Sequence, residues 1–308
     1  INEGRSPIKR EPGLEELVAD VVGSDELRAT TDGDAAADAA AVHVIMVPTL
    51  LTDDQEPDLS IVDEVVATIG AGLAPGDIVL VESTVPPRTT IDRVRPLLVE
   101  RSGLQADEFG IAACPERTVS GQAIADIRGT HPKVVGGVDE ESTRVASLIY
   151  DELSDNEVVP TPDATTAEAV KVFEGVYRDV NIAFANELAL YPEETDNEVN
   201  EASEVANTQP FCNIHDPGPG VGGHCIPVYP YFLSAPFEAD SSLLLTARER
   251  NDGMASYTAS MVQAILEADG IDPSSASVLI LGVTYKANIA ELRNAPAIPV
   301  SKHLADLG

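Results

Sequence analysis

The chain is 308 residues long, 44% hydrophobic and 23% charged, the balance of a globular protein with room for two or three cores rather than of a disordered one. Its net charge of −33, from 52 acidic against 19 basic residues, argues against nucleic acid and anionic lipid as partners. No apolar run approaches the roughly 18–20 residues that span a bilayer, and the polar start INEGRSPIKREPG has no apolar core of a secretory signal, so neither is expected.

Strands and helices alternate from residue 41. AVHVIMV (41–47) is a β-branched run of the kind expected in a parallel strand buried on both faces. A helix follows, LSIVDEVVATIGAGL, with Asp58 as its cap. Next come DIVLVEST (77–84), a helix near 89–101, FGIAAC (109–114), KVVGG (133–137), a helix near 140–152 and EVVPT (157–161). Such alternation implies βαβ units and a parallel sheet, whose ligands sit beyond the carboxyl ends of the strands. Those ends carry Pro48-Thr49, Glu82-Ser83-Thr84 and Pro115-Glu116. Residues 163–191 read as one long helix with an apolar stripe of Phe173, Tyr177, Val180, Phe184 and Leu188, to be ended or kinked by Pro192. The proline-rich stretch 208–237 reads as loop, 241–268 as a second long helix, and VLILGV (278–283) as a new strand. The fold class is therefore α/β: an incomplete Rossmann-like parallel sheet, a central helical domain, and the start of a second Rossmann-like domain. The expected boundaries are 1–162, 163–270 and 271–308.

The stretch GPGVGGHCI (218–226) contains a formal G-x-G-x-x-G in Gly218, Gly220 and Gly223. A dinucleotide fingerprint needs a strand before it and a helix after it. Here HDP precedes, and the prolines of HCIPVYP argue against a helix behind, so the match is accidental. The glycines read instead as letting the backbone pass close to a ligand beside Cys225. On its own, Cys225 has two readings: a small buried hydrophobe, or a nucleophile in a flexible loop whose thiolate needs a nearby cation. Lys171 offers such a charge, yet by spacing Lys171, Gly175, Arg178 and Ile182 form an ordinary solvated helix face. His224, adjacent to Cys225, is expected to point elsewhere. No histidine or cysteine pair has metal-ligand spacing, so no metal is expected. Three sparse cysteines fit a reducing cytoplasm. Only five lysines among evenly spread acids suggest adaptation to high salt, with an acidic protein of ordinary salt as the alternative.

Collinear motifs run nearly end to end: INEGRSPIKREPGLEEL (1–17), VPT (47–49), EPDLS (56–60), ESTVPPRTT (82–90), CPER (114–117), AEAVK (167–171), YRDVNIAFANELAL (177–190), ANTQP (206–210), NIHDPGPGVGGHCIPVYPYFL (213–233), ARERND (247–252) and YKANIAELRNAPA (285–297). In these the chain resembles the nucleotide-sugar dehydrogenases, which oxidise the 6-hydroxyl of a UDP-sugar to a carboxylate with NAD. The GHCIPV wording is similar to the branch acting on UDP-N-acetylhexosamines, UDP-N-acetylmannosamine foremost. The resemblance implies Cys225 as nucleophile of a thiohemiacetal and thioester, with Lys171 for the oxyanion and Thr84 and Glu116 near the reaction centre. It further implies Pro48, Thr49, Ser83 and Thr84 at the cofactor. Arg178, Asn213, His215, Gly218, Gly220, Gly222, Gly223 and Lys286 fall at the substrate. A homodimer through the two long helices and a role in polysaccharide synthesis are implied too. Three positions depart from the family pattern: Tyr229 stands for an Asp, Gly175 for an Asn and Phe211 for an Arg. YPEETDNE (191–198) also breaks the helix pattern, and the family's glycine-rich first βαβ has no counterpart ahead of Ile1. The second reading is accordingly a catalytically impaired fragment or decayed copy, serving as a non-catalytic dimerisation partner.

Overall fold

The structure is a computed structural model that describes residues 1–8, 11–192 and 198–307. It divides into two compact units, Ile1–Val172 and Phe173–Gly308.

In the first unit, helices α1 (Leu14–Gly23) and α2 (Gly33–Asp38) precede a five-stranded sheet in the order β1-β4-β5-β6-β7. The strands are β1 (Val42–Ile45), β4 (Ile78–Val81), β5 (Gly110–Ala113), β6 (Lys133–Gly137) and β7 (Val158–Pro160). A small antiparallel pair, β2 (Leu50–Leu51) and β3 (Pro57–Asp58), follows β1. Helices α3 (Ser60–Gly72), α4 (Arg95–Ser102), the single turn α5 (Ala123–Ala125) and α6 (Glu140–Leu153) connect the strands.

β4 is buried at every residue, as an inner strand covered on both faces must be. Val79 and Val81 join Val62, Val66 and Leu98 of α3 and α4 in one core. Ile78 and Leu80 join Ala146 and Tyr150 of α6 in another. The alternation of side chains along one strand thus serves two helical layers, each fully buried Val or Leu contributing roughly 1.5–3 kcal/mol. Asp58 Oδ1 accepts from the Ser60 N–H at 2.9 Å, but the N-cap of α3 is Leu59, one residue later, and makes no side-chain cap, a correction to the expected capping by Asp58. Asp139 is the N-cap of α6 and accepts from the Ser142 N–H.

Two expectations are corrected within the sheet. β1, at the edge of the sheet, is buried on one face only: His43 and Ile45 are buried, while Val42 and Val44 are 44% and 48% exposed. The pairing is not parallel throughout either. β1, β4 and β5 run parallel, but β6 pairs antiparallel to β5 through Ala112 with Gly137 and Ala113 with Gly136. This reversal brings the start of β6, and with it Lys133, to the carboxyl ends of β4 and β5.

Helix α7 (Ala164–Leu188) begins in the first unit, and the boundary falls within it. The second unit holds the rest of α7, α8 (Val199–Ala206), α9 (Tyr229–Ser234), α10 (Ser242–Ala268) and α11 (Ala297–Ala305). α9 lies where prolines were expected to exclude a helix. Pro230 occupies the first turn, whose N–H needs no intrahelical partner, so the ring is tolerated there. VLILGV (278–283) forms no strand: Leu279 and Leu281 are 80% and 87% exposed, with no neighbouring strand among the described residues to complete a ladder. The stretch 191–198 lies for the most part outside the described residues.

Candidate active site

In the first unit the chemistry gathers at the carboxyl ends of β1, β4 and β5. The Ser83 hydroxyl accepts from the Val47 N–H at 2.8 Å and donates to the Val47 carbonyl at 2.8 Å, stapling β4 to the exit of β1. Its hydroxyl is therefore spent on the backbone rather than left for a cofactor. Beyond the strands, Thr49 Oγ1 and Glu116 Oε1 are buried without a hydrogen-bond partner. Burying a polar atom unpaired costs about 1–3 kcal/mol, so orphans at the ligand edge of an α/β sheet mark where a polar ligand belongs. Thr84 is half-buried beside them in sequence, and Pro48 is exposed.

Behind this edge lies a buried cluster that motif reading missed. Lys133 Nζ is 3.0 Å from Glu82 Oε1 and 4.3 Å from the centroid of the Tyr150 ring. The Tyr150 hydroxyl donates to the same Glu82 oxygen. Burial, with the charges of Cys114 and Glu82, raises the Tyr150 phenol, and burial pushes the Cys114 thiol up to about 12, which leaves it inert. The Glu116 N–H donates to the Glu82 carbonyl at 3.2 Å, so the cluster fixes the backbone that carries Glu116.

α7 contributes a second anchor through Glu168. Its two carboxylate oxygens accept from the Arg88 N–H at 2.6 Å and the Thr90 N–H at 2.7 Å, clamping the segment that leaves Thr84 onto the helix. This holds Arg88 at φ 78, in the left-handed region. Lys171 follows one turn later and is half-buried.

The second unit carries the cysteine loop. The carbonyl of Cys225, a half-buried and reduced cysteine, accepts from the N–H groups of Val228 (3.1 Å) and Tyr229 (3.0 Å) at the entry to α9. Upstream, Gly223 donates to the Arg293 carbonyl at 2.9 Å and Asn294 Nδ2 returns a bond to the Gly223 carbonyl at 2.8 Å. The Tyr285 ring lies against both glycines. A Cβ on Gly222 would overlap Tyr285 and stand 2.9 Å from the Asn294 carbonyl, and Gly223 takes φ 88. The protein's own packing thus demands glycine at these two positions. Gly218 has open space around it, and its N–H donates to Asn186 Oδ1 at 2.8 Å. Gly220 takes φ 137.

A hydrogen bond with the Cys225 side chain holds the His224 imidazole above its ordinary value, against burial and the charge of Arg293.

Asn181 on α7 holds the loop before the glycines by donating to the Asn213 carbonyl at 2.7 Å and accepting from the His215 N–H at 2.9 Å. Asn213 Nδ2 reaches the Tyr177 hydroxyl at 3.3 Å, and the His215 ring meets the Tyr177 ring edge-on, centroids 5.9 Å apart. Burial and the charge of Arg178 lower the His215 imidazole. Arg178 is exposed, as is Lys286, whose carbonyl accepts from Thr284. Behind the loop, Asp179 binds Arg248, and Asn251 bridges Asp179 at 2.9 Å to Asn186 at 2.8 Å. All four are buried. Sequence spacing had no signal for this network beyond the polar letters of ARERND.

Two of the three substituted positions explain each other. Gly175 on α7 faces the ring of Tyr229: a Cβ there would overlap the ring, with Cε2 at 3.0 Å. Phe211 is 93% exposed. Among the described residues no group of three His, Cys, Asp or Glu side chains is arranged to hold a metal, and no helix is long and apolar enough to cross a membrane.

Residues 1–154 match the NAD binding domain of the UDP-glucose/GDP-mannose dehydrogenase family, and residues 165–253 match the central domain of that family. The UDP-N-acetyl-D-mannosamine dehydrogenase of Pyrococcus horikoshii is 36% identical over 97% of this chain and 70% of its own length. That of Salmonella typhi is 38% identical over 99% of this chain and 74% of its own. The structure of the Pyrococcus horikoshii UDP-D-ManNAc dehydrogenase superposes with a TM-score of 0.94 at 35% identity, covering 99% of this chain and 72% of that one. A UDP-glucose dehydrogenase of Pyrobaculum islandicum superposes at 0.90 with 25% identity, over 100% of this chain and 71% of that one. The orphaned Thr49 and Glu116 oxygens at the strand ends fit a polar dinucleotide. The chain belongs to the UDP-glucose/GDP-mannose dehydrogenase family and is a nucleotide-sugar dehydrogenase, an oxidoreductase whose cofactor is NAD.

Proposed function

We propose that the chain oxidises the 6-hydroxyl of UDP-N-acetylmannosamine to the carboxylate through a covalent intermediate on Cys225, supplying a uronate for polysaccharide synthesis. The observation that carries the reaction is the half-buried Cys225, reduced and held at the entry to α9 in a loop whose backbone is hydrogen-bonded on both sides of it. The substrate rests on the relatives called UDP-N-acetyl-D-mannosamine dehydrogenase at 36% and 38% identity.

NAD, one molecule for each of the two oxidations, would supply the hydride acceptor. Cys225 adds to the aldehyde formed by the first: sulfur bonds to carbon, and the carbonyl electron pair moves to oxygen. The tether keeps the aldehyde in place for the second oxidation, and water then cleaves the thioester to acid and thiol. Lys171 supplies positive charge to the oxyanion, where a preorganised cation is worth most. Thr84 and Glu116 hold water, and Thr49 and Glu116 face the cofactor, which would satisfy their orphaned oxygens. Pro48 and the staple at Ser83 shape that edge. Arg178, Asn213, His215, Lys286 and the glycine run from Gly218 wrap the sugar nucleotide.

The uncovered stripe Phe173, Tyr177 and Phe184 on α7, each more than half exposed, supports a homodimer through the long helices. A reducing cytoplasm suits a working thiol. A decayed copy is not favoured, because Gly175 and Tyr229 are fitted to each other rather than leaving a void.

Incubating the chain with NAD and UDP-N-acetylmannosamine is expected to yield two NADH per uronate, faster than with UDP-glucose. Cys225→Ser is expected to cut uronate formation by roughly 10³-fold or more. Uronate made by Cys225→Ser at the wild-type rate would refute the covalent route, and a preference for UDP-glucose would refute the substrate.

A further inference from the structure

We propose that Asn186 is a positioning residue for the sugar nucleotide: oriented by Asn251 and Asp179, it fixes the Gly218 amide and with it the loop 213–220. The proposal rests on the reading of that loop as part of the substrate site given above, and adds the residues that keep the loop in shape.

The loop is tied to α7 at both ends by two asparagines of that helix. Asn181 holds the start, donating to the Asn213 carbonyl at 2.7 Å and accepting from the His215 N–H at 2.9 Å. Asn186 holds the far end, its Oδ1 accepting from the Gly218 N–H at 2.8 Å. A Cβ on Gly218 would meet nothing within 4 Å, so a ligand can approach this backbone while Asn186 keeps its N–H.

A side-chain amide has a donor end and an acceptor end, and something must set which of them faces the loop. A chain of bonds through α10 sets it. The Asp179 carboxylate only accepts, and Asn251 Nδ2 donates both to Asp179 Oδ1 and to the Asp179 carbonyl, each at 2.9 Å. Asn251 Oδ1 is thereby left to accept from Asn186 Nδ2 at 2.8 Å, which in turn leaves Asn186 Oδ1 for Gly218. The Arg248 guanidinium balances Asp179 and reaches Asp252 at 2.8 Å. Asn251 also packs on the loop directly: its carbonyl lies 3.5 Å from where a Cβ on Gly220 would stand, and Gly220 takes φ 137.

Stability alone is a weak reason for this arrangement. Asp179, Asn186, Arg248 and Asn251 are all buried, and Asp179 Oδ2 has no hydrogen-bond partner. A buried ion pair often does no better than apolar residues of the same volume, and an unpaired buried oxygen adds a further cost. What the pair delivers is a fixed polarity. Charge at one end of the chain decides the direction of both amides between it and Gly218.

The test is hydrogen exchange of the whole 308-residue chain, read residue by residue by fragmentation mass spectrometry, in the wild type, Asn186→Ala and Asn251→Ala. Alanine is the best helix former, so α7 and α10 keep their backbone in both variants. The Gly218 amide is expected to be protected in the wild type and to exchange about tenfold faster in each variant, on the order of one hydrogen bond. The β4 amides of the first unit should keep their rates. KM for UDP-N-acetylmannosamine should rise about tenfold while kcat stays within about threefold, the pattern of lost binding rather than lost chemistry. An unprotected Gly218 amide in the wild type would overturn the proposal without any variant. Faster exchange in Asn186→Ala alone would remove Asn251 and Asp179 from it, and faster exchange with an unchanged KM would remove the positioning role. Loss of protection throughout α10 would mark a variant as unfolded, and the other variant and the wild type then decide. If the wild type makes no uronate from UDP-N-acetylmannosamine, the proposed function falls, while the exchange rates still decide whether Asn251 acts on Gly218 through Asn186.

Discussion

Gly175 and Tyr229 each look like a lost polar group when read singly, yet in three dimensions they are one event. The Tyr229 ring, only 6% exposed, occupies the space a side chain at 175 would need. Gly175→Ala is therefore expected to cost roughly 1–3 kcal/mol through overpacking, and Tyr229→Ala about 3–5 kcal/mol through the cavity left. In the double variant the new methyl meets a void rather than a ring, so its loss should fall short of the sum by about 1 kcal/mol or more, as urea unfolding would measure. Strict additivity would separate the two sites. The same packing logic distinguishes the glycines of the cysteine loop: Gly222 and Gly223 answer to Tyr285, whereas Gly218 meets nothing nearby.

Among the elements, α7 departs furthest from its sequence pattern. Its length was legible, because apolar spacing and the following proline are local signals. Its buried face was not, since Val176, Asp179, Ala183 and Asn186 turn inward while Phe173, Tyr177 and Phe184 stay exposed. Polar residues can take the inner face because Arg248 and Asn251 of α10 satisfy them. Near its start, burial pushes Glu168 up to about 7 from 4.5, despite the two amide donors that favour its ionised form. A carboxyl raised on folding keeps its proton in the native state when the unfolded chain has lost it. Its contribution to stability is full below about pH 4.5 and is lost as pH rises through about 7. From pH 5 to pH 8 this group should remove up to about 3 kcal/mol of unfolding free energy. Glu168→Gln should flatten that slope while lowering stability overall, because one backbone N–H loses its acceptor. Equal slopes in both proteins, measured by denaturant titration, would contradict the assignment.

For the whole molecule, a net charge of −33 sets the conditions under which either unit is stable. Self-repulsion among so many carboxylates is weakened by salt, whose screening length falls from about 10 Å at 0.1 M to about 3 Å at 1 M. Raising KCl from about 0.1 M to about 2 M is expected to raise the melting temperature by several degrees. Light scattering over the same range should report about twice the 32.4 kDa chain mass, and Phe184→Asp should halve it. A melting temperature that falls with salt would remove the reading of salt adaptation, and a monomer at every concentration would remove the dimer.

What the sequence determined by itself was whatever local chemistry encodes: the alternation of strands and helices, the length of α7, and the family written into collinear motifs such as GVGGHCIPV. What only the tertiary structure decided were the relations between residues distant in the chain. The reversal of β6 brings Lys133 to Glu82, and a ring fills the notch at Gly175. VLILGV shows the same limit from the other side, since a β-branched pattern states a preference that only a hydrogen-bonded neighbour can realise. The reason is physical: propensity and capping act within a few residues, whereas burial, pairing and proton affinity depend on which distant groups the folded chain sets side by side.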